Sequence, residues 1–185
     1  MSQPATDHGR PTTDRLFLMG YRGTGKSTVA RLVAEGLDWE HVDADDEVER
    51  VAGKAIRDLF AEQGEPAFRD LEERVVAELA LRQKTVVALG GGAVLRPANR
   101  ECLKQAGPVV WLTAAPDTIA KRLEQDASTA SRRPSLTGGS VLEEIVEVLA
   151  VREPLYRECA TLVVDTEGKS APQVAAEILS NLTHA

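Results

Sequence analysis

Cysteine is nearly missing from this 185-residue chain: Cys102 and Cys159 are the two it has, and neither CxxC nor zinc-finger spacing relates them. That excludes a disulfide-stapled scaffold and a cysteine-ligated zinc module. Both lie among apolar residues, so buried thiols in a reducing compartment are expected. A basic excess is lacking too, since 29 acidic residues outweigh 22 basic ones for a net charge of −7. Non-specific nucleic-acid binding, which relies on a cationic surface, is therefore not expected. No apolar run approaches the length of a membrane span. The first residues, Met1 to Asp14, are polar, carry Pro4 and Pro11, and have no apolar core of a signal peptide. We read 1–14 as a flexible tail and expect a cytoplasmic protein without a membrane partner. Internal repeats and a second domain are also missing, leaving 15–185 as one domain. With 43% hydrophobic and 28% charged residues, the composition is that of an ordinary globular protein able to fill a full core.

What is present is concentrated first in Gly20-Tyr21-Arg22-Gly23-Thr24-Gly25-Lys26-Ser27. This stretch fits the phosphate-binding loop pattern G-x-x-x-x-G-K-[ST]. A loop that wraps a polyphosphate must let backbone N–H groups converge on its oxygens, which requires glycine where a Cβ would intrude. Lys26 is placed to reach the terminal phosphates and Ser27 to ligate Mg²⁺. The flanks fit as well. Leu16 to Met19 is a short apolar run that reads as a buried strand, and Val29, Ala30, Leu32, Val33 and Leu37 recur at helical spacing. Strand, glycine loop and helix then place a helix N-terminus under the phosphates.

Further along, Trp39 to Val42 reads as a second strand entering the acidic cluster Asp43 to Glu47. Helical spacing continues through Val48 and Val51, then Ile56, Leu59 and Phe60, with Gly53 and Gly64 as punctuation. From Glu65 to Lys84 the residues Phe68, Leu71, Val75 and Leu79 predict a long amphipathic helix. Thr85 to Leu89 reads as a buried strand ending in Gly90-Gly91-Gly92. A helix over Pro97 to Gln105, a strand over Val109 to Leu112 and a helix over Pro116 to Gln125 follow. Asp126 to Ser140 is almost free of apolar residues and reads as a mobile surface loop. Helical spacing resumes at Leu142, with Pro154 expected to kink or end that helix. A last strand, Thr161 to Val164, and a last helix, Pro172 to Leu182, complete the chain. Five strands alternating with helices imply a parallel sheet covered on both faces.

In such a sheet, ligands bind at the C-terminal tips of the strands. Asp43 and Asp45, two residues apart at a strand end, are expected to point the same way. They suit a magnesium site and a proton acceptor, although an acidic first helical turn is also favourable to the helix dipole. Three successive glycines exceed what a turn needs and point to a close approach to the backbone, the alternative being a tight bend. Arg69, Arg133 and Arg152 are not separable from other surface arginines on these grounds. A phosphoryl-transfer site does need cations, and arginine suits an acceptor that carries a carboxylate.

The combination GYRGTGKST, DAD, GEPAFRDLEE, ALGGGAV, RRP and REPLYR, in that order from Leu16 to about Pro172, closely resembles the shikimate kinase family. FRxxE, GGG and RxPLYR together are far more specific than the phosphate loop alone. The resemblance implies an α/β, three-layer P-loop kinase fold like that of nucleoside-monophosphate kinases, with a five-stranded parallel sheet and a mobile lid at about 126–140. It implies transfer of the γ-phosphoryl group of ATP to the 3-hydroxyl of shikimate, with Mg²⁺ as cofactor, by a monomer. By position, Asp45, Arg69, Gly91, Gly92 and Arg152 bind shikimate, and Asp45, Lys26 and Arg133 are catalytic. Gly23, Thr24, Gly25, Lys26, Ser27, Thr28, Arg122 and Arg133 bind ATP; Ser27 and Asp43 organise the metal. Glu72, one helical turn beyond Arg69, is expected to hold that arginine in position. Two rivals remain on the sequence alone: a gluconate or nucleoside-monophosphate kinase of the same fold, and a non-catalytic sensor of shikimate or nucleotide. The first would leave FRxxE, GGG and RxPLYR without a joint purpose, and the second is expected to have lost the lysine or carboxylate.

Overall fold

The computed structural model describes residues 14–125 and 140–182. Its element order is β1 (Arg15–Met19), α1 (Lys26–Leu37), β2 (Glu40–Asp43), α2 (Ala44–Ala52), α3 (Ile56–Leu79), β3 (Thr85–Ala88), a 3₁₀ turn (Ala93–Leu95) and α4 (Pro97–Ala106). Then follow β4 (Val109–Thr113), α5 (Pro116–Gln125), α6 (Val141–Cys159), β5 (Leu162–Asp165) and α7 (Ala171–Leu182). The five strands form one parallel sheet in the order β2-β3-β1-β4-β5. The phosphate loop therefore leaves the middle strand, and the triple glycine leaves its neighbour β3.

Alternation along β1 shows how the layers are fed. Phe17 and Met19 join Val42, Val87, Trp111 and Tyr156 in one fully enclosed cluster under α2, α3, α4 and α6. Leu16 and Leu18 join Val86, Ala88, Val110, Leu112 and Val164 in the other, covered by α1 and α7. Both faces of the central strands are thus apolar, as a parallel sheet requires. Phe60 packs on Phe68 at 4.7 Å between centroids, and Trp111 on Tyr156 at 5.7 Å.

Most expected elements appear within a residue or two, with three differences. The amphipathic pattern over Glu65 to Lys84 belongs to α3, which begins at Ile56, passes through Gly64 (φ 79°, ψ 174°) and ends at Leu79. The helix entering Pro154 does not end there: α6 runs through it to Cys159. Proline removes one donor, but Tyr156 and Cys159 beyond it are buried and hold the last turn in the core. The third concerns Asp45, which lies in the first turn of α2 and not on the strand. Of the two thiols, Cys159 is buried and Cys102 half-buried; burial pushes the pKa of each up. Among the described residues, no helix is long and apolar enough to cross a membrane. The tail, apart from Asp14, and the loop over 126–140, apart from Ser140, lie outside the described residues, as does Arg133.

Candidate active site

The phosphate loop closes on the carbonyl of Tyr21. It accepts from the hydroxyl of buried Thr24 at 2.8 Å and from Lys26 Nζ at 2.9 Å. Gly25 caps α1 in the left-handed region (φ 86°), where a side chain would be strained. The first turn of α1 then presents Lys26, Ser27 and Thr28 at the sheet's C-terminal edge.

Beside it, Asp43 ends β2 and caps α2. Its Oδ1 accepts from the backbone N–H of Asp45 at 3.0 Å, while its Oδ2 accepts from Ser27 Oγ at 2.6 Å. The pair expected to hold a metal is thus in direct contact, joining α1 to α2. One carboxylate and one hydroxyl at an exposed edge suit Mg²⁺, which takes oxygen donors and completes its shell with phosphate and water. Asp45 stands near Asp43 because of the helical turn that Asp43 caps; strand pleating plays no part.

The residues expected from the resemblance to bind the acceptor gather around the glycines. Arg69, 9% exposed, donates from Nη1 to Glu72 Oε2 at 2.6 Å and from Nε and Nη2 to Glu65 Oε1 at 3.1 and 3.0 Å. Burial works against its charge, but Glu72 and Glu65 outweigh that and raise its pKa above the ordinary arginine value. A Cβ at Gly92 would lie 2.6 Å from both terminal nitrogens of Arg69. The close approach inferred from three glycines is therefore at least partly to the protein's own guanidinium. Gly91 faces the other way. Its carbonyl accepts from Arg152 Nη1 at 3.2 Å and from the buried Tyr156 hydroxyl at 2.5 Å, and a Cβ there would stand 3.1 Å from the carbonyl oxygen of Gly20. Two arginines from α3 and α6 thus flank adjacent glycines that abut the start of the phosphate loop.

Arg122 on α5 bridges elsewhere. Its Nη1 donates to Thr166 Oγ1 at 2.9 Å and to the Gly23 carbonyl at 3.4 Å, and its Nη2 to the Thr166 carbonyl at 3.0 Å. Glu167 accepts from Thr118 Oγ1 at 2.6 Å and from the Ala115 N–H at 3.2 Å, tying the β5–α7 loop to the start of α5. Three participants escaped the sequence reading as individuals. Tyr156 lay inside the REPLYR motif without a role. Arg22 occupied a free position of the phosphate loop. Glu144, which pairs with Arg22 at 2.7 Å, carried no signal beyond its charge.

With this geometry in place, comparisons with known proteins are specific. The shikimate kinase family model matches residues 22–183. A shikimate kinase of Rhodopirellula baltica is 48% identical over 164 residues, covering 89% of this chain and 88% of its own length. One from Oleidesulfovibrio alaskensis is 43% identical, covering 93% of this chain and 99% of its own length. Among solved structures, the shikimate kinase of Acinetobacter baumannii in complex with shikimate superposes with a TM-score of 0.86 at 37% identity, covering 93% of this chain and 94% of that one. A Sinorhizobium meliloti gluconokinase, at TM-score 0.59 and 20% identity, shares the fold alone. On the family match and these identities together, the chain belongs to the shikimate kinase family.

Proposed function

We propose that this chain carries out the family reaction, transfer of the γ-phosphoryl group of ATP to the 3-hydroxyl of shikimate, with the residues assembled above. The observation that carries the assignment of roles is the abutment of Gly91 on Gly20, with Arg69 and Arg152 on either side. It supports a site for a carboxylate-bearing acceptor directly against the phosphate cradle. Arg69 and Arg152 grip the acceptor carboxylate, each already oriented by the protein: Arg69 by Glu72 and Glu65, Arg152 by the Gly91 carbonyl. Pre-oriented cations lose little freedom on binding, so the acceptor hydroxyl is presented in line at low entropic cost.

On the donor side, Gly23, Thr24, Gly25 and Thr28 line the phosphates, and Lys26 exchanges the Tyr21 carbonyl for phosphate oxygens. Arg122 supports the nucleotide side through Gly23 and Thr166. Ser27 and Asp43 would hold Mg²⁺, which would supply positive charge against the phosphates of ATP. Asp45 receives or orients the proton of the attacking hydroxyl. Arg133 adds a further cation at the phosphates in this proposal. A cytoplasmic monomer completes the reading, and the acidic balance of the chain argues against a nucleic-acid partner.

The test is ADP release by purified protein with ATP and Mg²⁺, comparing shikimate with gluconate, CMP and AMP. Stimulation by shikimate alone is the expected result; stimulation by another acceptor refutes the arginine and glycine assignments. Asp45→Asn is expected to abolish turnover with the thermal unfolding profile retained, and near-normal turnover rules out its proton role.

A further inference from the structure

Helix α6 is tied to the phosphate loop at one end and to the acceptor loop at the other, and we propose that Arg22 and Glu144 are positioning residues that set Arg152 relative to the bound nucleotide. The loop end is held twice. Tyr21, 3% exposed, packs in one cluster with Ile145 and Leu149 of α6 and Ile119 of α5. Next to it, Arg22 Nη2 meets Glu144 Oε1 at 2.7 Å, with the glutamate side chain 2% exposed. A carboxylate taken this far from water is stable only with a cation in good geometry, so the pair resists separation. The first turn of α6 is itself fixed by a capping box between Ser140 and Glu143.

The far end is equally constrained. Arg152 lies eight residues beyond Glu144, about 12 Å along the axis. There Arg152 and Tyr156 both donate to the Gly91 carbonyl. An α-helix transmits axial displacement with little loss, so a shift of Arg22 reaches Arg152 through its backbone. Such a shift has a source in the donor site. The Tyr21 carbonyl, one residue before Arg22, accepts from Lys26 and Thr24, and phosphate competes for the lysine. The inference rests on the placement of Arg152 against the acceptor carboxylate, proposed above.

The experiment is calorimetric titration of the full chain with shikimate, with and without saturating MgADP. For the native chain the ratio of the two affinities is expected to be at least about fivefold, the low end of ordinary coupling between sites. Glu144→Gln, which keeps shape but removes the charge, is expected to reduce that ratio below about twofold. A merely structural role would lower both affinities and leave the ratio intact, overturning the proposal, as would a native ratio of one. If Glu144→Gln fails to fold, Arg22→Met serves the same test, because it removes the cation of the pair and keeps the aliphatic stem. Arg152→Met separates the two levels. If it leaves shikimate affinity without nucleotide unchanged, the acceptor-site reading fails. If it weakens that affinity while Glu144→Gln preserves the ratio, only the role of Arg22 and Glu144 falls.

Discussion

Gly92→Ala adds one methyl group to the chain and should act almost entirely through Arg69. The new Cβ would stand 2.6 Å from Nη1 and Nη2 and 2.9 Å from Cζ, whereas ordinary contact begins at 3.4 Å, so about 0.8 Å must be recovered. A free arginine would swing aside at no cost. This one is held by Glu72 and Glu65 and is 9% exposed, so the guanidinium and its partners must yield together. Complete loss of the buried pair would cost about 3–5 kcal/mol, and an overpacked but intact one about 1–3 kcal/mol. Since the arginine can slide while keeping one glutamate, about 2 kcal/mol is expected, or a Tm lowered by roughly 4–8 °C in a domain of this size.

The functional effect is larger than the structural one. With Arg69 in the role proposed for it, displacement by nearly an ångström is expected to reduce kcat/KM for shikimate on the order of 10- to 100-fold. The KM for ATP should barely move, because the three atoms nearest the added Cβ all belong to Arg69. Gly91→Ala supplies the contrast: its Cβ would crowd the Gly20 carbonyl at 3.1 Å, a backbone atom, so both substrates should suffer. Coupled ADP-release kinetics over a matrix of the two substrates, with thermal unfolding of each variant, reads all of this. If Gly92→Ala loses the expected stability but binds and turns over shikimate normally, Arg69 is not in the acceptor site. If neither changes, the packing argument itself is wrong.

Ser27→Ala should leave stability nearly untouched, since the hydroxyl lies at an exposed edge, yet raise the half-saturating Mg²⁺ concentration for turnover by about tenfold or more. An unchanged magnesium requirement would separate Ser27 from the metal. Glu167→Gln tests the clasp between the β5–α7 loop and α5. The Thr118 hydroxyl and then the Ala115 N–H hold the Glu167 carboxyl below the usual carboxylate range. A depressed folded-state pKa gives stability that is complete above the unfolded value, about 4.3, and is lost as pH falls through the folded value. The Tm difference between the native chain and the variant should therefore be full near about pH 7 and shrink below about pH 4. A difference independent of pH would mean that the clasp does not depend on charge.

The elements legible in the sequence were those announced by local signals. Short apolar runs located all five strands and period-3.6 patterns the helices, and the glycine-lysine loop pointed to the sheet edge proposed for the chemistry. Misread features were ones where tertiary packing overrode a local signal. Pro154 marks a kink or a stop on backbone grounds, and the stop does not occur: the buried Tyr156 and Cys159 carry α6 past it. Asp45 is the exception: it stands two residues after Asp43 as a strand partner would, yet the local N-cap made by Asp43 starts a helix there and turns it onto a different path.

Sorting the arginines is the harder case, because it depends on what surrounds a guanidinium and not on where it falls in the chain. Arg31 and Arg69 each have a glutamate four residues away on their own helix. Arg31 with Glu35 is a surface pair, its side chains 54% and 58% exposed, and worth a fraction of a kcal/mol. Arg69 has in addition Glu72, 2% exposed, the ring of Phe68 at 5.0 Å, and a glycine opposite with no room for a methyl group. Charge pattern alone cannot separate the two; the family motif could, because it records the glycine and glutamate that accompany the arginine. For Arg22 and Glu144 no motif recorded such company. The pair spans 122 positions, and only the folding of α6 across the sheet edge brings its members together. A contact of that kind is invisible to periodicity and spacing. On the proposed roles it is also where the donor and acceptor sides meet one helix, so a single charge removed there should be felt by both.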